Sequence, residues 1–393
     1  MPLGLYISVP FCRTKCSYCN FASDVFSRAV FDRYIDRVCG EIEQARELST
    51  QMGCRFEPSV DSIYLGGGTP TVLEVAQLER LFVTISQNFA VEAEAEITVE
   101  CAPGTLSAPM LDVLVRIGVN RVSLGVQSFV DQEAASVGRM HNREVVLEDI
   151  ARLRDAGIRN INVDLIAGLP HQTAASWERS LDDLAAVGVP HASVYMLEVD
   201  DDSRLGRELI AGGQKYHAHF VPDDDLTADF YESACDRLNA AGIAQYEISN
   251  FARPGSESKH NLKYWTRQPY LGFGVDAHSM LRTPMGTSAI RFSNSDALEK
   301  YVAGAPHEIE AVTPESAMEE AFFLGLRLNR GIDLAVTARE FGEGAVGSYS
   351  ERLAELVGAG LLDRRGDSIR LTARGRLLSN EVFERFVSSD VAL

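Results

Sequence analysis

The chain has 393 residues, of which 46% are hydrophobic and 24% are charged, and its formal net charge at pH 7 is −19. This composition is typical of a globular protein with enough apolar material for one large domain and a smaller one. No apolar run reaches the roughly 18 residues that a membrane-spanning helix needs. The negative charge disfavours nucleic acid as an extended partner, because two polyanions repel each other.

The N-terminus and the cysteine content both indicate a reducing compartment. The N-terminus has no basic segment followed by a long apolar one, so we expect no secretion signal. The seven cysteines are an odd number, and four of them are scattered without a pattern. A disulfide framework is therefore not expected, and we predict a cytoplasmic protein.

Short apolar segments alternate with segments of helical periodicity through the first 200 residues. The predicted strands are 4–9, 62–67, 96–101, 121–126, 160–166 and 192–197. The predicted helices between them are 28–50, 74–89, 107–117, 131–156 and 174–188. This alternation favours a parallel sheet, and polar residues at the strand ends favour a barrel whose chemistry lies there. We predict an α/β fold with a partial (β/α)6 TIM-like barrel; the alternative is an open doubly wound sheet.

The remaining sequence predicts a helix over 223–241 and a loop over 253–261. A new segment begins near residue 312. From there the pattern of helix, tight turn, hairpin and helix predicts a small winged-helix-like α+β domain. Residues 311–393 hold 10 arginines against 13 acidic residues, which argues against DNA binding. We predict three segments, namely a barrel core, an extension and a C-terminal domain, with bounds 1–235, 236–310 and 311–393.

Three of the seven cysteines lie within eight residues, in the stretch YISVPFCRTKCSYCNFAS that begins at Tyr6. Cys12, Cys16 and Cys19 follow the first predicted strand with the spacing C-x3-C-x2-C. Three thiolates on one loop can hold an iron–sulfur cube and leave its fourth iron without a protein ligand. Structural zinc normally takes four ligands, a redox C-x-x-C pair leaves Cys12 unexplained, and a c-type haem needs histidine where Asn20 stands. An iron–sulfur cluster is the favoured interpretation, and zinc is its main competitor.

The cysteine pattern includes Tyr18, and C-x3-C-x-Y-C directly after a first strand resembles the signature of the radical S-adenosylmethionine (SAM) superfamily. The resemblance implies that the three cysteines hold a [4Fe–4S] cluster. It also implies that the amino and carboxylate groups of SAM bind the open iron, where one electron cleaves SAM to a 5′-deoxyadenosyl radical.

Four further segments resemble the HemN/HemW family, and the resemblance covers nearly the whole chain: SIYLGGGTPTVL, GVNRVSLGVQSF, INVDLIAGLPHQT and YEISNFARPG. The glycines of YLGGGTPT let the backbone approach a ligand closely, although a tight strand-to-helix turn would also use them. Carboxylates and an arginine after successive strands suit the diol and the carboxylate of SAM. By the family pattern, the residues in contact with SAM are Tyr6, Gly67, Gly68, Thr69, Glu100, Gln127, Arg139 and Asp164.

Two features separate the branches of this family. Oxygen-independent coproporphyrinogen III dehydrogenase carries a fourth cysteine two residues after the third, where this chain has Phe21. The dehydrogenase also has a long segment before its first strand, whereas five residues precede Tyr6 here. Both features favour the haem-chaperone branch, so we expect no coproporphyrinogen III dehydrogenase activity.

The segment HNLKYW, residues 260–265, matches a motif of the haem-chaperone branch that is associated with haem binding. The match implies that His260 is an axial ligand of haem iron and that Tyr264 and Trp265 offer aromatic faces. We expect His260 in an exposed loop, with Arg253 or Lys259 paired to the haem propionates, although a loop histidine can also simply be solvated. His278 is a second candidate ligand, with a structural role as the alternative.

Three departures from the family pattern bear on the catalytic face. Ser8 stands where family members usually have histidine, and Asn20 stands where aspartate is common. The segment GFGVDAHS also differs from the usual glycine-rich version. None of these positions supplies a cluster ligand.

The expected function is that of a haem chaperone, which binds haem and passes it to an acceptor protein. A low-potential ferredoxin or flavodoxin is the electron donor that the family implies. The alternative is a radical SAM enzyme that acts on a porphyrinogen. A tRNA-modifying enzyme is a third class, which the net charge of −19 disfavours.

Overall fold

Six parallel strands form the centre of the fold, as predicted. The computed structural model describes residues 1–284 and 288–387. The strands are β1 (Leu3–Val9), β2 (Ser59–Gly67), β3 (Ala90–Cys101), β4 (Arg121–Gln127), β5 (Asn160–Ala167) and β6 (His191–Met196). Each pairs in parallel with the next one in the chain. This sequential order is that of a partial (β/α) barrel, since a doubly wound sheet reverses its strand order at a switch point.

Helices follow the strands because their apolar residues recur on one face, as in α1, which buries Ile35, Val38 and Ile42 against the sheet. The helices of this part are α1 (Phe31–Gln51), α2 (Val75–Asn88), α3 (Ala108–Arg116), α4 (Asp131–Ser136), α5 (Arg143–Asp155), α6 (Ala174–Val187), α7 (Arg204–Ala211) and α8 (Asp224–Ala240). The single helix predicted over 131–156 is wrong. Gly138 has a φ of 86° and ends the first helix, and the Asn142 side chain caps the second.

The sheet continues beyond the six parallel strands on both sides. Its further elements are β7 (Ala244–Gln245), β8 (Asn250–Ala252), α9 (Lys259–Trp265), β9 (Tyr270–Phe273), β10 (His278–Arg282), β11 (Ala289–Ser293), α10 (Leu298–Val302) and β12 (Glu308–Val312). β8 pairs antiparallel with β6, and β9 pairs parallel with β1. The result is a mixed sheet of 12 strands. The predicted division between 235 and 236 falls inside α8.

The C-terminal part has its own apolar core and the predicted winged-helix-like order. Its elements are α11 (Pro314–Arg327), β13 (Ile332–Asp333), α12 (Leu334–Phe341), α13 (Glu343–Gly347), α14 (Ser350–Gly358), β14 (Leu362–Arg365), β15 (Ser368–Leu371), α15 (Ala373–Leu377) and α16 (Ser379–Glu384). β15 lies between β13 and β14 in a three-stranded sheet. The division of the chain into three segments stays a prediction.

The C-terminal part packs on the barrel through α9 and the turn that follows it. Nε of Arg267 lies 3.2 Å from a carboxylate oxygen of the buried Glu320. The guanidinium of Arg327 lies 4.2 Å from the ring centre of Trp265. The HNLKYW segment is therefore enclosed between two parts of the molecule. Among the helices of the described ranges, none is long and apolar enough to cross a bilayer.

Candidate functional site

The three clustered cysteines lie on the loop that follows β1, at the carboxyl end of the strand. Cys12, Cys16 and Cys19 are half-buried, and their thiols are free. The backbone N–H of Cys12 donates to the carbonyl of Asp24 at 3.0 Å, which closes the loop. The Thr69 hydroxyl points at the Cys12 sulfur, at 3.9 Å.

This donor set fits a [4Fe–4S] cluster. In the part of the chain that the structure describes, no three His, Cys, Asp or Glu side chains are close enough together to hold a single metal ion. An iron–sulfur cube binds each thiolate to a different iron, so its ligands lie farther apart than those of one ion. Three free thiols on one loop suit a cube that leaves one iron open.

Arg139 joins the cluster loop to the turn between α4 and α5. Its Nη2 atom donates to the Tyr18 hydroxyl at 2.9 Å. The Ser17 N–H and the Thr14 hydroxyl donate to carbonyls of the same turn, at 3.1 Å each. Within residues 1–284 and 288–387, Nε of Arg139 is buried without a hydrogen-bond partner. A buried free donor beside the thiols suits an anionic group of a ligand.

The glycine segment at the end of β2 needs Gly67 and Gly68 because its backbone lies in close contact with the neighbouring strands. Gly67 has a φ of 98°, and its N–H donates to Glu100 at 3.2 Å. The N–H of Gly68 donates to the Val9 carbonyl at 2.9 Å, and a Cβ on Gly68 would lie only 2.7 Å from that oxygen. The segment thus binds the end of β1 to the end of β3, and any side chain at Gly68 would separate them.

Glu100 at the end of β3 is the central acidic residue. Its carboxylate accepts hydrogen bonds from the Tyr64 hydroxyl at 2.9 Å and from the Gly67 N–H. Burial, followed by the nearby charge of Asp164, raises the pKa of Glu100 to about 7. Glu100 therefore changes its charge close to neutral pH.

Of the remaining predicted residues, Gln127 ends β4 and Asp164 lies inside β5, three residues before its end. Gln127 has a φ of 68°, and among the described atoms its Oε1 is buried without a partner. Asp164 accepts from the Ser123 hydroxyl at 3.0 Å and from the Asn162 amide at 2.7 Å. A strained backbone at Gln127 and an unpaired acceptor are typical of a ligand site.

A cavity of about 100 Å³ beside the cluster loop brings together Tyr6, Gly67 and Glu100 from the predicted set. Gly68, Thr69, Gln127, Arg139 and Asp164 do not line it. Its other lining residues, which are Ser8, Phe21, Ala22, Val275 and Asp276, are not among the site residues predicted from the sequence. Three of these, Ser8, Val275 and Asp276, lie at positions or in segments that depart from the family pattern, and that departure was the available signal.

We expect the affinity for SAM to fall as the pH falls through about 7. A carboxylate accepts hydrogen bonds from a diol better when ionised, and the ionised fraction of Glu100 drops about tenfold per pH unit below its pKa. Calorimetric titration of the cluster-loaded protein with SAM should show about tenfold weaker binding at pH 6 than at pH 8. The variant Glu100→Gln should bind weakly at every pH, whereas Glu94→Gln, at an exposed position of β3, should behave as wild type. A pH dependence that persists in Glu100→Gln would contradict this assignment.

His260 is neither in a loop nor exposed, and this prediction is wrong. The residue lies in helix α9, whose start is fixed by the Ser258 cap and by Glu96, which accepts the N–H of His260 at 3.1 Å. Its side chain is covered from both sides, and the residue is 1% exposed. The segment RPGSESK belongs to the loop predicted over 253–261, but its last serine, Ser258, caps a helix.

Both ring nitrogens of His260 are already bonded. Nδ1 lies 3.0 Å from the Ser62 hydroxyl, and Nε2 lies 2.9 Å from the Tyr264 hydroxyl. Burial, with Lys263 and Arg121 as further causes, lowers the pKa of His260 to about 3. In this structure His260 does not fit an axial ligand of haem, because neither nitrogen is accessible to iron.

The other residues predicted near haem already contact protein groups or are exposed to solvent. Trp265 stacks against Arg327, and Lys259 donates to the Glu94 carbonyl at 3.0 Å. Arg253 is exposed. His278 is exposed on β10, with Nε2 3.8 Å from a carboxylate oxygen of Asp276. The structure does not bring these side chains together around one flat ligand.

Comparison with known proteins agrees with this architecture. The model of the radical SAM superfamily matches residues 6–184, and the model of the HemN C-terminal domain matches residues 312–378. The haem chaperone HemW of Lactococcus lactis subsp. lactis (strain IL1403) is 34% identical over 394 residues, which cover 99% of this chain and 98% of the relative. HemW of Bacillus subtilis (strain 168) is 35% identical and covers 97% of this chain and 98% of its own.

A solved structure supports the fold over the same length. The coproporphyrinogen III oxidase HemN of Escherichia coli, a radical SAM enzyme, superposes with a TM-score of 0.83 at 26% identity. The superposition covers 98% of this chain and 90% of that chain. The open mixed sheet and the C-terminal domain are therefore shared between the two proteins.

A cysteine loop at the end of β1 and two matching family models make this a radical SAM protein with a HemN-type C-terminal domain. The solved HemN structure shares that architecture, so the architecture alone does not choose a branch. The branch is shown by the identity of 34–35% with haem chaperones over almost their full length. The chain belongs to the HemW family.

Proposed function

We propose that this protein binds haem and passes it to an acceptor protein, with a [4Fe–4S] cluster on Cys12, Cys16 and Cys19 and SAM at the open iron. The observation that carries the proposal is the cluster loop. It presents three free thiols, and at the position of the dehydrogenase's fourth cysteine it presents Phe21, which is 64% exposed. An apolar ring there cannot ligate a metal.

The SAM site is proposed at the carboxyl ends of β1 to β5. Its residues are those of the family pattern, namely Tyr6, Gly67, Gly68, Thr69, Glu100, Gln127, Arg139 and Asp164. Three observations support it: the close approach that the glycines permit, the carboxylate of Glu100, and the unpaired buried polar atoms of Gln127 and Arg139. Bound SAM would supply the radical chemistry, or would regulate the protein through the state of the cluster.

The acceptor is a haem protein of the same compartment, and the seven free thiols suit a reducing cytoplasm. The electron donor to the cluster is a low-potential ferredoxin or flavodoxin. The dehydrogenase is the second candidate function, because the solved HemN structure shares the fold over 98% of this chain.

An assay with coproporphyrinogen III separates the two functions. The cluster-loaded protein is supplied anaerobically with coproporphyrinogen III, SAM and a strong reductant, and products are separated by chromatography. We expect no protoporphyrinogen and no substrate-dependent 5′-deoxyadenosine. Mixing haem-loaded protein with a tagged, haem-free acceptor should instead move haem to the acceptor faster than from haem–albumin. Formation of protoporphyrinogen over many turnovers would establish the enzyme and reject the chaperone.

A further inference from the structure

A cavity of about 350 Å³ lies between helix α1 and strands β9 and β11 of the sheet. We propose that this cavity binds a small aromatic carboxylate, whose carboxylate group accepts hydrogen bonds from Arg37 and His307. Phe273 and Phe292 form the floor beneath its ring. The described residues that line the cavity include none of those assigned to the cluster, to SAM or to haem. The inference therefore goes beyond the proposed function and does not depend on it.

The size and the walls of the cavity suit a small ring system. Ligand pockets in proteins commonly measure about 300–1,000 Å³, so this one accepts a small ligand. Leu271 and Phe273 come from β9 and Phe292 comes from β11, and all three are buried. Leu48 of α1 completes the apolar part of the lining. An apolar floor with a few polar groups at the rim is typical of a site for an apolar body that carries one polar substituent.

Arg37 is the permanently cationic group of the cavity, and its guanidinium is only weakly held by the protein. Its Nη2 atom lies 3.5 Å from Oε1 of Glu41, which is longer than a usual hydrogen bond between these groups. Across the two described stretches of the chain, Nε of Arg37 has no hydrogen-bond partner. The side chain is 27% exposed and lines the cavity, so a ligand can reach it. A carboxylate is the expected partner of a guanidinium with unused donors, because the two groups can form paired hydrogen bonds.

His307 adds a second nitrogen-bearing side chain, from the segment just before β12. Its ring centre lies 5.5 Å from that of Phe292, with 73° between the ring planes. Nδ1 of this ring has no hydrogen-bond partner in the described part of the chain either. Burial, followed by the charge of Arg37, lowers the pKa of His307, so the imidazole of the free cavity is neutral. A neutral imidazole carries one N–H, and a bound anion would favour the protonated ring, which carries two.

The acidic residues of the cavity do not select a cation instead. Oε2 of Glu41 already accepts hydrogen bonds at 2.6–3.3 Å from three donors, which belong to Tyr301, Gly274 and Asn294. Burial also raises the pKa of Glu41, which reduces the fraction that is ionised. Glu47 is exposed at the rim, where water screens its charge. The polar groups that remain for a ligand are therefore donors.

The test is equilibrium dialysis of the full-length, cluster-loaded protein against 2-naphthoate under anaerobic conditions. We expect saturation near one 2-naphthoate per chain. The neutral 2-naphthamide has the same rings and should bind about tenfold more weakly, because it lacks the charge that Arg37 recognises. Arg37→Gln should weaken the binding of 2-naphthoate by about tenfold or more, and His307→Ala should also weaken it. Arg33→Gln, at an exposed position of the same helix, is the matched control and should bind as wild type.

A second pair of variants tests where the ligand binds. Gln44 lines the cavity from an exposed position of α1, so Gln44→Trp should fill the entrance without disturbing the core and should abolish binding. Glu43 is exposed beside it but does not line the cavity, so Glu43→Trp should leave binding unchanged. Both variants should keep the circular dichroism spectrum and the iron content of the wild type.

Each contrary result overturns the inference in its own way. A wild-type protein without saturable binding of 2-naphthoate has no such site. Equal binding of the acid and the amide, or tighter binding of the cationic 2-naphthylmethylamine, would show that the cavity does not select a carboxylate. Equal weakening in Arg33→Gln and Arg37→Gln would show general attraction to positive charge. Binding that depends on Arg37, His307 and an open entrance at Gln44 supports the site.

Discussion

Replacing any one of Cys12, Cys16 and Cys19 by alanine is expected to leave the purified protein without its four-iron cluster. In the proposed ligand set each residue supplies one of three protein thiolates, and each lies on the same loop after β1. A cube that loses one of three anchors exposes a second iron to solvent, and its remaining ligands cannot hold it through purification. Iron and sulfide analysis after anaerobic reconstitution should fall close to zero, and the brown absorption should disappear.

Cys235→Ala is the matched control for this prediction. Cys235 is half-buried like the three loop cysteines, but it lies on α8 and forms no part of the loop. This variant should keep full iron and sulfide. A complete cluster in any one of the three loop variants, with correct folding, would refute the ligand set. Stoichiometric zinc in the wild-type protein purified without oxygen would refute the cluster itself.

Gly68→Ala is expected to disable the proposed SAM site. Its Cβ would lie 2.7 Å from the Val9 carbonyl oxygen and 2.8 Å from that of Phe11, and both obstacles are backbone. The end of β1 must therefore move, and Cys12 moves with it because it follows Phe11 directly. We expect a stability cost of about 1–3 kcal/mol from this overpacking and a loss of SAM affinity of about tenfold or more, measured by calorimetry.

Gly40→Ala serves as the control for the glycine prediction. Gly40 lies inside α1, and a Cβ there meets nothing within 4 Å. The substitution should raise the free energy of unfolding by up to about 1 kcal/mol, because alanine is the better helix former, and should leave SAM binding unchanged. If Gly68→Ala binds SAM as tightly as wild type, the glycine segment is only a turn.

The parallel core could be predicted from the sequence because its signals are local. Each strand and each helix shows its own periodicity, so their alternation was visible without any knowledge of contacts. The cysteine loop and the acidic strand ends were found for the same reason. The split between α4 and α5 was missed, although Gly138 and Asn142 are ordinary stop and start signals.

The burial of His260 could not be predicted, because the groups that cover it are distant in the chain. Ser62 comes from β2, and the C-terminal domain reaches the same helix through Arg327 and Trp265. The hydrogen bond between His171 and His217 was missed for a related reason. The two residues are 46 positions apart, and only the fold places Nε2 of His171 3.1 Å from Nδ1 of His217. Contacts of this kind depend on tertiary packing, which periodicity does not encode.

The most direct test of the chaperone function is a haem titration of the wild-type, cluster-loaded protein under anaerobic conditions, followed by absorption. We predict saturation near one haem per chain, with a sharp spectral endpoint and an unchanged iron–sulfur content. A linear, non-saturating change, equal to that of haem in buffer, would show that the protein does not hold haem. That result would contradict the chaperone function and direct attention to a porphyrinogen substrate at the SAM end of the barrel.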